Sequence, residues 1–222
     1  MSERIPIFPL GAVLVPRMLL PIHVFEERYR RMMRDRQGEE HLFGVVLTKS
    51  GREVGEQPEM HRVGTVATLV GSGRYPDGRY DLIVRGRRRF RIGEGDWERG
   101  YHVASVDWLD EPVGPAPDGQ SVSELAESTS RAYGRYLDAL QAAVGTPVER
   151  DGLPGDAVDL GYALLARLPL GSREKQALLE APTAVQRLLS LNATLRRERV
   201  LLERTGIGGV GVEHPGANLS SN

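Results

Sequence analysis

The sequence predicts an α+β chain, a mostly β first half followed by a small α-helical bundle. Three observations predict it. Glycines and prolines cut the first 110 residues into short apolar alternations. Pro112, Pro115 and Pro117 then interrupt the chain, because proline removes a donor and fixes φ. Beyond them the apolar residues recur with a period of 3.6.

In the first half, the strands expected are Ile5–Phe8, Leu19–Val24, Leu42–Thr48, Val63–Ser72, Arg79–Arg85, Arg88–Gly93 and His102–Leu109. Pro9 and Pro16 bracket an apolar stretch and are expected to stop its edge from pairing further. Tyr75-Pro76-Asp77-Gly78 predicts a hairpin turn: Pro76 presets φ, Asp77 bonds local backbone and Gly78 accepts positive φ. Glu26–Arg36 predicts the one helix among these strands, since Tyr29, Met32 and Met33 share a face and Gly38 is a natural stop. Phe25 is expected as a large buried ring beside the start of that helix, and Glu26 in its first turn, where exposed amides favour a carboxylate.

The resulting organisation is a β subdomain over 1–111, a linker over 112–120, a helical bundle over 121–204 and a disordered tail over 205–222. Ser121 and Glu124 form a capping box ahead of a stripe running from Val122 through Leu125, Thr129, Tyr133, Tyr136 and Leu140 to Val144. Further helices are expected at Pro154–Leu168, Ser172–Ala181 and Pro182–Arg204.

Composition removes many functions. The chain has 222 residues, no cysteine and a formal charge of −1, which excludes thiolate metal sites, cysteine nucleophiles and a strong general attraction to nucleic acid. All but two of its 29 basic residues are arginine. The first residues show no secretion signal, and no apolar run approaches the ~20 residues that span a bilayer, so a cytoplasmic protein without a membrane contact is expected. His23, His41, His61, His102 and His214 are scattered, so no metal site is expected, and His23 reads as a buried, hydrogen-bonded strand histidine. Gly206-x-Gly208-x-x-Gly211 follows a helix and opens none, which leaves the dinucleotide fingerprint without its context. Neighbouring carboxylates such as Glu26-Glu27 and Glu39-Glu40 do not face each other on a helix, and no acid–base pair emerges. No cofactor is expected.

The densest charge cluster is Arg85-Gly86-Arg87-Arg88-Arg89-Phe90-Arg91. On a strand of period two, Arg85, Arg87, Arg89 and Arg91 share one face and Phe90 and Ile92 the other. This ribbon reads either as a surface for RNA or an acidic peptide, or as a solvated face paired with Asp81, Glu94, Asp96 and Glu98. The near-neutral charge and the lack of interleaved exposed aromatics favour the solvated face.

The opening Ile5-Pro-Ile-Phe8-Pro9-Leu10-Gly11, Val13-Leu14-Val15-Pro16, Leu20-Pro21-Ile22-His23-Val24-Phe25-Glu26 and Arg28-Tyr29 resembles the amino-terminal domain of Lon proteases. The similarity continues through Phe43-Gly44-Val45-Val46, Val63-Gly64-Thr65-Val66, Pro76-Asp77-Gly78-Arg79-Tyr80, Gly86 and Arg89-Phe90, and through Glu174-Lys175-Gln176 and Arg187-Leu188-Leu189 to the last helix, over roughly residues 5–204. The resemblance implies a PUA-like, mostly antiparallel β-barrel followed by a helical bundle, and recognition of unfolded or tagged polypeptide segments. It also implies work with a separate ATP-dependent protease, because no Gly-x-x-x-x-Gly-Lys-Ser/Thr occurs here and a stand-alone, non-catalytic binding protein is expected. Any peptidase character would come by descent only. For the apolar contact, the candidates are Met18, Phe25, Met32 and Met33; for each methionine, whose flexible thioether suits an adaptable surface, core packing is the competing reading.

Overall fold

The computed structural model describes residues 3–36, 38, 43–50, 57–97 and 99–206. Two compact units divide the chain at Asp110/Glu111. The expected tail beyond Gly206 lies outside the described residues, as do Leu42, His41, His214, Glu39, Glu40 and Glu98.

The first unit holds β1 (Glu3–Leu10), β2 (Leu19–Val24), α1 (Glu27–Asp35), β3 (Phe43–Ser50), β4 (Glu59–Arg74), β5 (Tyr80–Asp96) and β6 (His102–Trp108). The sheet runs β2-β5-β4-β3-β1-β6, and β6 pairs back onto β5. Five strands thus close a barrel, and β2 hangs on its outside along β5. Only the β1–β3 pairing is parallel.

Unlike the expectation for its prolines, β1 is an interior strand. Pro6 lies opposite Val103 of β6 and Pro9 opposite Val46 of β3. Residues 3–7 pair with β6 and residues 7–10 with β3, so away from Ile7 each proline has an unpaired side for its missing amide. Strands buried on both faces read as continuous apolar runs. So it is here: Ile5 and Ile7 join Val46, Val66, Phe90, Ala104 and Val106 in one core. Phe8 joins a second core with Phe43, Val45, Leu82, Val84 and the α1 face of Tyr29, Met32 and Met33. Phe8 and Tyr29 rings stand 4.5 Å apart, and burial pushes the Tyr29 phenol up to about 12.

Arg79–Arg85 and Arg88–Gly93, expected as two strands, form one. Gly86 is the reason the chain continues. A Cβ there would fall 2.1 Å from the Val15 carbonyl oxygen, so glycine admits the 15–18 turn against β5 and interrupts nothing. That turn is fastened by Arg17 N–H to Gly86 O at 2.7 Å and Gly86 N–H to Met18 O at 3.0 Å. The hairpin between β4 and β5 forms as expected, with Gly78 N–H donating to Tyr75 O at 2.9 Å and Arg79 N–H to Asp77 Oδ1 at 3.0 Å.

The second unit holds α2 (Val122–Val144), α3 (Ala157–Arg167), α4 (Ser172–Leu179) and α5 (Ala184–Thr205). The Ser121/Glu124 capping box is formed, and Gly145 closes α2 in the left-handed region. The apolar stripe of α2 packs on α5 up to Leu137, while Val144 overhangs into solvent. Arg187 of α5 is fully buried, its guanidinium 4.1 Å over the Tyr162 ring and donating to Leu178 O at 3.1 Å, where it closes the end of α4. The proline stretch expected as a linker is fastened to this unit: Pro112 O and Val113 O accept the amides of Ala184 and Val185 at 3.0 and 2.9 Å. Its prolines keep their acceptors, and α5 needs them at its first turn. No helix among the described residues is long and apolar enough to cross a membrane.

Candidate functional site

The outer face of β2, the first half of β5 and the end of β4 carries the site. Cross-strand register sets three rows on it: Leu19, Arg85 and Thr68; Pro21, Ile83 and Gly71; His23, Asp81 and Gly73. Along β2 the alternate residues Leu20, Ile22 and Val24 are buried, which turns Leu19, Pro21 and His23 outward. The same alternation buries Tyr80, Leu82 and Val84 and exposes Asp81, Ile83 and Arg85. Ile83 is 48% exposed, Leu19 49% and Val70, at the irregularity of β4, 52%. Nothing lies within 4 Å of where a Cβ would stand on Gly71 or Gly73, so the β4 side of the face is a shallow hollow.

One end of this face is aromatic. Phe25 is exposed and stacks on His23 at 6.0 Å, with the Tyr75 ring edge-on to His23 at 6.2 Å. Asp81 ties them together: His23 Nδ1 lies 2.6 Å from its Oδ1, and the Tyr75 hydroxyl donates to its Oδ2. The hydrogen bond from His23, and after it that from Tyr75, holds the Asp81 carboxyl below the usual carboxylate range. The pair orients an imidazole and a phenol on an apolar surface. His23 is thus hydrogen-bonded as expected but not buried, because its partner sits on the solvent face of β5.

Among the described residues, no strand pairs with the edge of β2 away from β5. Since Gly86 N–H donates to Met18 O, the register turns the backbone groups of even residues in β2 to β5 and those of Leu19, Pro21 and His23 away. This edge therefore offers two amides and three carbonyls to an incoming strand, with a gap at Pro21.

The opposite end of the face is basic. Arg17, Arg85, Arg87 and Arg88 line an open pocket of about 760 Å³ with Glu3 and Trp108. Arg17 is held there at φ 68°, the one positive φ outside glycine among the described residues. Arg88 lies 5.5 Å over the Trp108 ring and bonds Asp110 at 3.2 Å.

The sequence candidates separate on this geometry. Met32 and Met33 are core residues, 0% and 6% exposed, because the face of α1 they share with Tyr29 packs on the sheet. Met18 is half-buried under the 15–18 turn, against the same core. Phe25 reverses its expectation: it is 53% exposed, since β2 ends at Val24 and the next residue turns outward before the helix. Glu26 is the N-cap residue and pairs with Arg28 at 2.8 Å. In the basic ribbon, Arg85, Arg87 and Arg91 are exposed, but Arg89 is 2% exposed and donates to Asp110 O at 3.2 Å. An extra residue between Gly86 and Arg89, opposite Thr65–Ala67, and the Leu109–Asp110 segment bonded to Arg89 remove it from the ribbon. Of the carboxylates expected to neutralise the ribbon, Asp81 serves His23 and Tyr75, and Asp96 pairs with Arg4.

Residues 4–197 match the family described as the ATP-dependent protease La (LON) substrate-binding domain. The chain belongs to this family. As a LON substrate-binding domain it is 27% identical to the Lon protease of Dictyoglomus thermophilum over 202 residues, 90% of this chain and 25% of that one. It is 28% identical to Lon protease 2 of Myxococcus xanthus over 208 residues, 90% of this chain and 24% of that one. It therefore spans about a quarter of the length of these relatives. Among solved structures, the Lon N-terminal domain protein from Xanthomonas campestris superposes with a TM-score of 0.60 at 25% identity, covering 86% of this chain and 98% of that one. The N-terminal domain of the Mycobacterium avium complex Lon protease has the same TM-score at 19% identity, covers 87% and 98%, and shares the fold.

Within this LON substrate-binding domain, Lys49 is in β3 and pairs with Glu59 at 3.1 Å, and burial lowers the pKa of the Lys175 ammonium on α4. No group of three His, Asp or Glu among the described residues is placed to hold a metal. The residues that sequence reasoning missed are Leu19, Pro21, Ile83 and Tyr75. Their signal was present: an isoleucine alternating with Asp81 and Arg85 marks an apolar side chain on a solvent face.

Proposed function

We propose that this chain captures exposed, extended, apolar segments of unfolded polypeptides on the outer face of β2 and β5. The observation that carries the reading is the exposure of Leu19 and Ile83 in neighbouring rows, with Phe25 exposed beyond His23, beside the edge of β2 that is unpaired among the described residues. Single exposed apolar side chains are ordinary, but adjacent ones on a flat face mark a contact surface. A guest strand would gain main-chain hydrogen bonds from Leu19 and His23, while its side chains rest on Ile83 and Phe25. Membership of a substrate-binding family supports the same reading, and a separate ATP-dependent protease is the proposed destination of the captured chain.

Titration by calorimetry with an unfolded apolar polypeptide and with its folded parent tests the proposal. Binding of the unfolded form alone is expected, weakened about tenfold by Ile83→Ser. Equal affinity for both forms, or indifference to Ile83→Ser, removes it.

A further inference from the structure

We propose that the preferred guest is an apolar segment flanked on one side by acidic side chains, whose carboxylates enter the pocket formed by Arg17, Arg85, Arg87 and Arg88. The inference rests on the capture reading above and names the class of segment captured.

Three observations carry it. First, the pocket and the apolar face are continuous. Arg85 stands in the row of Leu19, one row from Pro21 and Ile83, and Arg87 lies a further two residues along β5. At about 3.4 Å per residue, a guest side chain over Pro21 and an acidic one beside Arg85 or Arg87 are separated by about two to four residues. Second, Arg85 and Arg87 lack the counter-charges that a merely solvated ribbon would have. Arg85 and Arg87 make no ion pair among the described residues, since Asp81 and Asp96 are engaged with His23 and Arg4. Four guanidinium groups share the pocket with the single carboxylate of Glu3, and only Asp110 beside it bonds Arg88. Third, the pocket is built rather than incidental. Arg17 lines it from the 15–18 turn at a positive φ, a conformation that a residue with a side chain rarely adopts.

The chemistry favours a peptide over a nucleic acid. The pocket holds four arginines, the chain as a whole carries −1, and the Trp108 ring is covered by Arg88 on its face and set edge-on to Phe90 at 6.3 Å. Base stacking needs an open ring face, whereas carboxylates need only the forked donors.

The test compares three synthetic peptides sharing one eight-residue apolar core: two glutamates before it, two glutamates after it, or two glutamines at each end. Titrated at low salt against the full chain and against Arg85→Glu/Arg87→Glu, one of the two acidic peptides is expected to bind about tenfold tighter than the glutamine peptide. That advantage should vanish in the double variant and shrink as salt rises. If all three peptides bind wild type alike, the acidic preference is overturned and the capture reading stands. If none binds, both fall. If a ten-nucleotide single-stranded RNA displaces the acidic peptide with a steeper salt dependence, the pocket belongs to nucleic acid and the inference is overturned.

Discussion

Phe25 separates binding from folding more cleanly than any other residue. Its ring is more than half exposed and touches only His23 among the aromatic groups. Phe25→Ala should therefore change stability by no more than about 0.5 kcal/mol while costing about tenfold or more in affinity for an apolar peptide, about 1.4 kcal/mol. Urea unfolding and calorimetry on one preparation check both. His102 shows the reverse character. It starts β6, is 8% exposed, stacks on Trp97 at 5.0 Å, and its Nδ1 is buried without a hydrogen-bond partner. Burial lowers its pKa below the ordinary 6.5 against the opposing charge of Asp96. The folded chain thus binds this proton less readily than the unfolded one. Its stability is complete above about 6.5 and is lost as pH falls from there through the lowered folded value. His102→Gln should flatten the loss of urea midpoint between pH 7 and 5, and an unchanged slope would refute the assignment.

At the scale of elements, the glycine in the long fifth strand is the most exacting position. Gly86→Ala would drive a methyl group into the Val15 carbonyl at 2.1 Å, and backbone rather than a flexible side chain must give way. A loss of about 1–3 kcal/mol is expected from urea unfolding, with Arg17 leaving its pocket as the turn moves. The sequence was legible where local pattern and final environment agree. The hairpin at Asp77 and the capping box at Ser121 came from residues whose partners are near in the chain, and β2 and the stripe of α2 from a burial period that their distant partners respect. It was misleading where a distant segment decides the outcome. Gly86 reads as a break until Val15 is brought against it, and Pro9 reads as an edge marker until β3 and β6 each take one half of β1. Arg89 keeps its strand period but is covered by Leu109–Asp110, which no alternation reveals. Of the proposed binding face, only Phe25, Arg85 and Arg87 were marked in advance, because burial alternation tells which side chains turn outward but not which of them become neighbours.

For the molecule as a whole, every group assigned to guest binding belongs to residues 3–110. Hydrogen exchange on peptide addition should therefore slow amides in 17–25 and 81–88 and leave those of 122–205 unchanged. Protection centred on the helices would move the binding surface elsewhere. This placement rests on hydrogen-bond accounting at the edge of β2 left open among the described residues; family membership supports a substrate-recognition role for the whole of residues 4–197.

An unpaired strand bordered by apolar side chains invites the same strand of another copy as readily as it invites a client. Pro21 stands in the middle of that border. Without an amide hydrogen it leaves one rung missing from any ladder built there, and in a symmetric antiparallel pairing centred on it the loss is doubled. A one-off visitor tolerates a single missing rung, whereas stacked copies would repeat the defect at each junction, so the surface stays receptive without becoming a seed for fibres.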